Sequence, residues 1–126
     1  MTMEISRIEM GERFSEVVVV PLPGAKMLYL SSQVPDDVTH DIEAQTRQVL
    51  ATIDSLLAQA GANKTHIVQA RVYLSSPGDY LAMNAVWDDW VPQGHTPARA
   101  TLGVKLMTPG LKVAIECTAV LPDPLA

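Results

Sequence analysis

Arg99 is the residue whose type and position best suit ligand chemistry, because it follows Pro97 and opens an alternating stretch. A planar guanidinium offers five donors and can hold a small carboxylate through two parallel hydrogen bonds. The competing interpretation is a surface arginine paired with a nearby acid, an interaction of little energetic weight. The sequence therefore indicates a carboxylate-binding arginine at the end of a sheet, with the surface ion pair as the alternative.

Two alternating stretches, 98–104 and 113–119, are expected to position Arg99 and a carboxylate. Successive side chains of a strand point to opposite faces, so Arg99 shares a face with Thr101, and Glu116 lies opposite the apolar set of the second stretch. Pro109-Gly110 suits the central positions of a type II turn between them. The pattern predicts a hairpin with Arg99 and Glu116 on one face.

The remaining reactive side chains give no metal or nucleophile signal. No two of His40, His66 and His95 fall at the i, i+2 or i, i+4 spacing that zinc sites often use. His95, four residues before Arg99, is interpreted as a loop histidine. The single cysteine, Cys117, lies on the apolar face of its strand and is predicted to be buried and inert. We expect no metal.

Charge and aromatic content argue against nucleic-acid binding. The formal net charge is −5 with nine Lys and Arg, and there are one Phe, two Trp and three Tyr. Proteins that bind nucleic acid cluster basic side chains to replace phosphate counterions, and many stack bases on aromatic rings. We expect no nucleic-acid partner.

Length and hydropathy predict one domain over residues 1–126, without a linker. No charged-then-apolar leader and no 18-residue apolar run marks secretion or membrane insertion. A cytoplasmic protein without a membrane partner is the expectation.

The periodicity predicts strands before and after a long helix, and a second helix before the last two strands. The run Val17–Val20 is β-branched without alternation, which is typical of a strand buried on both faces. Gly61 suits the left-handed cap that ends a helix. Ser76, Pro77 and Asp79 indicate a capped helix start with a capping box. The predicted strands cover 4–10, 17–20, 26–32, 67–74 and the last two stretches, and the predicted helices begin near 41 and 77.

Two helices can cover only one face of a mixed α+β sheet of five or six strands. The Val17–Val20 run predicts that both faces of the sheet are buried, so another surface must cover the second face. Self-association is the simplest way to cover it.

An ordered series of motifs over nearly the whole chain resembles the RidA (YjgF, RutC-like) family. The series comprises 28–33 (Leu-Tyr-Leu-Ser-Ser-Gln), 45–50 with 60–62, 79–84, Pro97-Ala98-Arg99 and the Lys-Val-x-Ile-Glu strand at 112–116. The resemblance implies a chorismate-mutase-like RidA fold and a homotrimer with ligand sites in the clefts between subunits. It also implies hydrolytic deamination of enamines and imines, giving 2-oxo acids and ammonia without a cofactor.

The resemblance also suggests roles for individual residues. Arg99 matches the family's carboxylate-binding arginine, and Ser31 matches a site serine. Phe14 stands where many members carry a tyrosine, and Thr101 stands where some have cysteine. The larger departure is in the last strand. Many members have Glu-x-Glu in the last strand, whereas this chain has Ala114 and Glu116.

Two functions from different classes remain open from the sequence. The first is an enamine/imine deaminase for small carboxylated intermediates, in which Glu116 takes over the handling of protons. The second is a non-catalytic trimer that binds small carboxylates, in which Glu116 is a structural ion-pair partner. Ala114 and Phe14 favour the second, while Arg99 and Ser31 favour the first.

Overall fold

One mixed six-stranded sheet organises the chain, and the computed structural model describes it over residues 4–124. The spatial order of the strands is β1-β2-β3-β6-β4-β5. Two helices pack on one face, as the sequence predicted. The strands are β1 Ser6–Met10, β2 Ser15–Leu22, β3 Ala25–Gln33, β4 Ile67–Leu74, β5 Ala98–Gly103 and β6 Val113–Pro122, and the helices are α1 Ile42–Gln59 and α2 Tyr80–Trp90.

The last two strands do not form the predicted hairpin. Strand β6 runs antiparallel to both β3 and β4, while β5 lies outside β4 and parallel to it. A parallel pair needs a crossover connection, and α2 supplies it between β4 and β5. The predicted turn does form, since Leu111 N donates to Thr108 O at 3.2 Å and Gly110 has a φ of 90°. It carries the chain past the end of β4 into β6.

Helix α1 follows the predicted periodicity. Asp41 caps its start, because its side chain accepts a hydrogen bond from Ala44 N at 2.9 Å. Gly61 adopts the left-handed φ of 80° expected just past the end. The apolar stripe of the helix packs against the sheet and supplies Ile42, Val49, Leu50, Ile53, Leu56 and Leu57 to the core.

Helix α2 begins differently from the prediction. Residues Pro77–Asp79 form one turn of 3₁₀ helix, and the Ser76 side chain makes no capping bond. The predicted capping box is therefore wrong. The backbone N–H of Asp79 donates to Ser76 O at 3.1 Å within the 3₁₀ turn instead of to the Ser76 side chain. Met83 and Trp87 enter the core, while Tyr80 stays partly exposed beside β5.

The fully buried Gln45 connects α1 through hydrogen bonds to the loop before α1 and to the loop before β6. Its amide nitrogen lies 3.3, 3.1 and 3.0 Å from the carbonyl oxygens of Val38, His40 and Gly110. Its side-chain oxygen accepts from Lys112 N at 2.9 Å. One amide thereby satisfies buried backbone groups of the loop before α1 and of the loop before β6.

The second face of the sheet, called here the open face, is not covered by any element of residues 4–124. Val17 and Val19 point to the helices and are buried, but Val18 and Val20 are only half-buried on the open face. Tyr29 pairs with Val18 there and is 47% exposed. The predicted burial of both faces of this strand is therefore not achieved within one copy of the chain.

Candidate functional site

Arg99 lies on the helix-facing side of the edge strand β5. Its register partner on β4 is Ala70, which belongs to the core, and paired residues of neighbouring strands share a face. The guanidinium carbon lies 5.1 Å from the centroid of the Trp87 ring, within the range of a cation–π interaction. Helix α2 therefore fixes the direction of the Arg99 side chain.

A cavity of about 470 Å³ opens beside the Arg99 guanidinium. Thr101 lies two residues further along on the same face, and Tyr80 of α2 borders the cavity. Among the described residues, the buried atoms Thr101 Oγ1 and Asn84 Oδ1 have no hydrogen-bond partner. Buried polar atoms normally find one, so the Thr101 hydroxyl, which borders the cavity, is available to a ligand or a water. The lining consists of Leu74, Pro77, Tyr80, Arg99, Thr101, Leu102 and Gly103.

Glu116 occupies the open face and is held by two side chains of β4. The Tyr73 hydroxyl donates to Glu116 Oε1 in a short hydrogen bond, and Arg71 Nη1 lies 3.9 Å from the same oxygen. Donation to the carboxylate, followed by burial and the negative charge of Glu116, raises the pKa of Tyr73. The carboxylate is thus positioned and remains about a third exposed.

The predicted common face of Arg99 and Glu116 is wrong. Arg71 is the register partner of Glu116 on one side and of Ala100 on the other, so Glu116 shares its face with Ala100 and not with Arg99. Strand β4 separates the two side chains laterally as well. Thr101 does share the face of Arg99, as predicted.

Ser31 lies beside Glu116, at a bulge of β3. The pairing passes from Leu30↔Cys117 to Gln33↔Ile115, so Ser31 and Ser32 together oppose Glu116. The Ser31 hydroxyl donates to Ser15 O at 2.6 Å, which leaves its oxygen free to accept. The bulge thereby brings a second polar group to the open-face carboxylate.

Phe14 precedes β2 and is 60% exposed. It borders a surface recess of about 870 Å³ together with Arg13 and three glutamates, Glu9, Glu12 and Glu16. It precedes Ser15, whose carbonyl oxygen accepts from Ser31, so its backbone lies near Ser31.

Three other residues behave largely as predicted. Ala114 shares the open face with Glu116, pairs with Tyr73 and is 3% exposed. Cys117 is buried as predicted, and burial raises the pKa of its thiol to about 12. His95 lies exposed in the loop before β5.

The sequence interpretation missed Arg71 and Tyr73 as partners of Glu116. The signal was present, since both alternate with the core residues Ala70 and Val72 along β4 and therefore share the other face. It could not be used without knowing that β4 is the neighbour of β6.

Two site classes are not found among residues 4–124. No cluster of three or more His, Cys, Asp or Glu side chains is arranged to hold a metal ion. Neither helix of this part of the chain combines the length and hydropathy needed to span a membrane.

The candidate residues thus form two groups on one subunit. The Arg99 group, defined by Arg99, Thr101 and Tyr80, can bind an anion and offers polar partners. The Glu116 group, defined by Glu116, Tyr73, Arg71 and Ser31 with Phe14 nearby, can accept or relay a proton.

Comparison with known proteins gives one consistent result. The family model described as endoribonuclease L-PSP matches residues 4–121. A RutC family protein of Haemophilus ducreyi is 40% identical over 117 residues, covering 93% of this chain and 97% of the relative. The RutC family protein YoaB of Escherichia coli K12 is 39% identical with similar coverage. The crystal structure of a YjgF family member from Neisseria meningitidis matches with a TM-score of 0.88 and 41% identity, over 97% of this chain and 98% of that one.

Proposed function

The chain belongs to the endoribonuclease L-PSP family, with its RutC and YjgF relatives, and we propose that it hydrolyses small reactive enamine or imine intermediates that carry a carboxylate. The products are a 2-oxo acid and ammonia. The reaction takes place in the cytoplasm, where pyridoxal-phosphate enzymes release such intermediates, and it uses no cofactor.

The position of Arg99 is the observation that carries this proposal. Its guanidinium borders a cavity without any acidic side chain in the lining, and Trp87 supports it from one side. A fork of donors held in this way suits bidentate capture of a carboxylate. Capture makes the attack of water on the imine carbon effectively unimolecular.

Glu116 is the proposed proton acceptor, and it supports a site built from two subunits. Within one chain it lies on the other face of the sheet from Arg99, two strands away, or about 10 Å in the plane of the sheet. One small substrate can contact both side chains only when the Glu116 group of one copy meets the Arg99 group of another. A closed homotrimer that uses the edge strand β5 and the open face would provide such contacts.

Protonation, addition of water and loss of ammonia make up the proposed reaction. An enamine takes a proton from solvent on carbon, which gives the iminium ion directly, and an imine reaches the same ion by protonation on nitrogen. Water adds its oxygen to the iminium carbon and gives up a proton to Glu116. The hydrogen bond between the Tyr73 hydroxyl and Glu116 changes as Glu116 takes this proton. Glu116 returns this proton to the nitrogen of the resulting carbinolamine. The C–N bond then breaks, ammonia leaves, and the carbinol hydroxyl gives its proton to Glu116 as the carbonyl of the 2-oxo acid forms. Arg99 neutralises the substrate carboxylate throughout, and no oxidant or reductant is needed.

The name of the family model raises ribonuclease activity as another possibility. The net charge of −5 opposes the binding of RNA, whose many phosphates need an extended cluster of basic side chains as counterions. We propose no nucleic-acid partner.

A second candidate is a non-catalytic homotrimer that binds small carboxylates. It is favoured by Ala114, which places a methyl group beside Glu116 on the open face, and by Phe14, which brings no hydroxyl. In this case the Tyr73 and Arg71 contacts make Glu116 a structural partner.

The two candidates are separated by a coupled assay. A pyridoxal-phosphate dehydratase generates 2-aminoacrylate or 2-aminocrotonate, and release of 2-oxo acid is followed with and without the protein. A deaminase accelerates the release, and Arg99→Met removes the acceleration. A binder gives the rate of buffer alone while still binding a 2-oxo acid in calorimetry. If there is neither acceleration nor binding, both candidates are wrong.

A further inference from the structure

A second cavity, of about 580 Å³, adjoins the one beside Arg99. Residues of the loop 104–112 form most of its wall, and Ser75 closes one side. The two cavities share Pro77 and Gly103 in their linings. The two cavities lie side by side at the end of β5 and are together called here the β5 groove.

The β5 groove gathers positive charge in an acidic protein. Arg99 lies at one end, and Lys105 and Lys112 border the other. No Asp or Glu appears in either lining. Within residues 4–124, none of these three cations forms an ion pair with a carboxylate, since the two ion pairs there involve His40 and Arg71. Three of nine basic residues thus border one groove while the chain carries a net charge of −5.

The wall that carries the two lysines is anchored to the rest of the fold. Val104 N donates to Leu74 O at 2.9 Å, and Ser75 N donates to Lys112 O at 3.1 Å. The buried Gln45 holds Gly110 O and Lys112 N, as described above. An anchored loop loses little conformational entropy when a ligand binds. The backbone that carries Lys105 and Lys112 is therefore already ordered before binding.

We propose that the β5 groove binds an elongated dianion, with its 2-oxo or 2-imino carboxylate on Arg99 and a second anionic group between Lys105 and Lys112. This inference rests on the proposed function and names its substrate class. The four residues from Arg99 to Gly103 span about 13 Å of strand, so the second group lies beyond the reach of four-carbon acids. The second group is a carboxylate or a phosphate, which the lysines recognise by the same charge.

Gly103 lies at the junction of the two cavities and provides a test of their continuity. A Cβ added there would meet Pro77 Cγ at 3.7 Å, an ordinary van der Waals contact, and the φ of Gly103 is not left-handed. Gly103→Ala should therefore fit without strain. A longer side chain, as in Gly103→Leu, should fill the passage beside Pro77.

Calorimetric titration of the intact protein with acids of matched length tests the proposal. The probes are glutaric, suberic and sebacic acids, the monoacids octanoic and decanoic acid, and 8-phosphonooctanoic acid. We expect about tenfold tighter binding of the long diacids than of the monoacids of equal length, and no such gain for glutaric acid. A larger gain for the phosphonate than for the carboxylate identifies phosphate as the natural second group, and the reverse order identifies carboxylate.

Two kinds of variant test whether the tighter binding of long dianions arises in the β5 groove. Lys105→Met/Lys112→Met should abolish the advantage of the long dianions, whereas Lys26→Met/Lys64→Met, with the same change in net charge, should keep it. Gly103→Leu should abolish it and Gly103→Ala should not. Pyruvate binding and the deaminase assay should be unchanged in the two lysine double variants, so a failure here is distinct from a failure of the proposed function.

Equal affinities for diacids and monoacids in the wild type would overturn the proposal. It is also overturned if the lysine double variant changes the oligomer mass in light scattering while the preference for dianions persists, because the lysines would then serve subunit contacts.

Discussion

Arg99 and Glu116 point to opposite faces of one sheet, and strand β4 lies between the strands that carry them. Arg99 is directed by Trp87 of α2, and Glu116 by Tyr73 and Arg71 of β4. The proposed chemistry needs an anion-binding group and a proton acceptor on one substrate. This relationship makes the proposed activity dependent on assembly, and the first three predictions test its parts.

Arg99→Lys should weaken the binding of a 2-oxo acid about tenfold although the charge is kept, because an ammonium cannot reproduce the bidentate fork or its stacking on Trp87. Calorimetry with pyruvate measures the effect. Arg47→Lys, the same change on α1, is the control and should bind as the wild type does. Unchanged affinity in Arg99→Lys would remove Arg99 as the anchor.

Glu116→Gln should reduce the acceleration in the coupled assay by roughly a hundredfold or more, since a positioned general base contributes on that scale. Tyr73→Phe should lower kcat less and shift its pH profile, because it changes the environment of the carboxylate without removing it. Pyruvate affinity should stay the same in both variants. A wild type that is active and indifferent to Glu116→Gln would refute the role of Glu116.

The open face should be covered by copies of the chain, giving a particle of three times 13.6 kDa in light scattering. Tyr29→Glu should break this particle, because a charge would replace a ring that is 47% exposed on that face. The control is Leu81→Glu on α2, where the side chain is 79% exposed on the helical side, and the particle should persist. A stable wild-type monomer at micromolar concentration contradicts the prediction.

Tyr73 should ionise later than an ordinary tyrosine, whose pKa is about 10, because Glu116 accepts its proton in a hydrogen bond. The folded pKa is raised, so the stabilisation is complete below about pH 10 and is lost as the pH rises through the raised value. Tyrosinate absorbance should show a late phase that Tyr73→Phe removes. Tyr80→Phe should leave that phase in place, and loss of the phase there would show a wrong assignment.

Gln45→Glu should destabilise the fold by roughly 3 kcal/mol, because an oxygen would face the carbonyls of Val38, His40 and Gly110 without a proton to donate. Denaturant unfolding measures the loss, which should shrink at low pH as the new carboxyl becomes protonated. Gln48→Glu on the same helix is the control, since its oxygen already accepts from Asp37 N. An equal loss in both variants would mean that helix propensity, not the buried amide, is responsible.

Much of the fold could be predicted from local patterns. The periodicity of α1, the left-handed Gly61, the Pro109-Gly110 turn and the order of strands and helices all depend on interactions between residues close in sequence. The buried Cys117 follows from simple alternation along β6. The one local failure, the capping box at Ser76, arose because a 3₁₀ turn and a capped α-helix share the same residue preferences.

The sequence by itself determined which residues share a face within each strand, because alternation has a period of two. Arg99 with Thr101, and Ala114 with Glu116, were paired correctly in this way. Only the tertiary structure decided which face of each strand meets the helices and which strands are neighbours. Those choices depend on the crossover through α2 and on the pairing of β6 with β4. Both arise from contacts between residues far apart in sequence, for which there is no local signal. They place Arg99 and Glu116 on opposite faces, and so separate the anion-binding group from the proton acceptor.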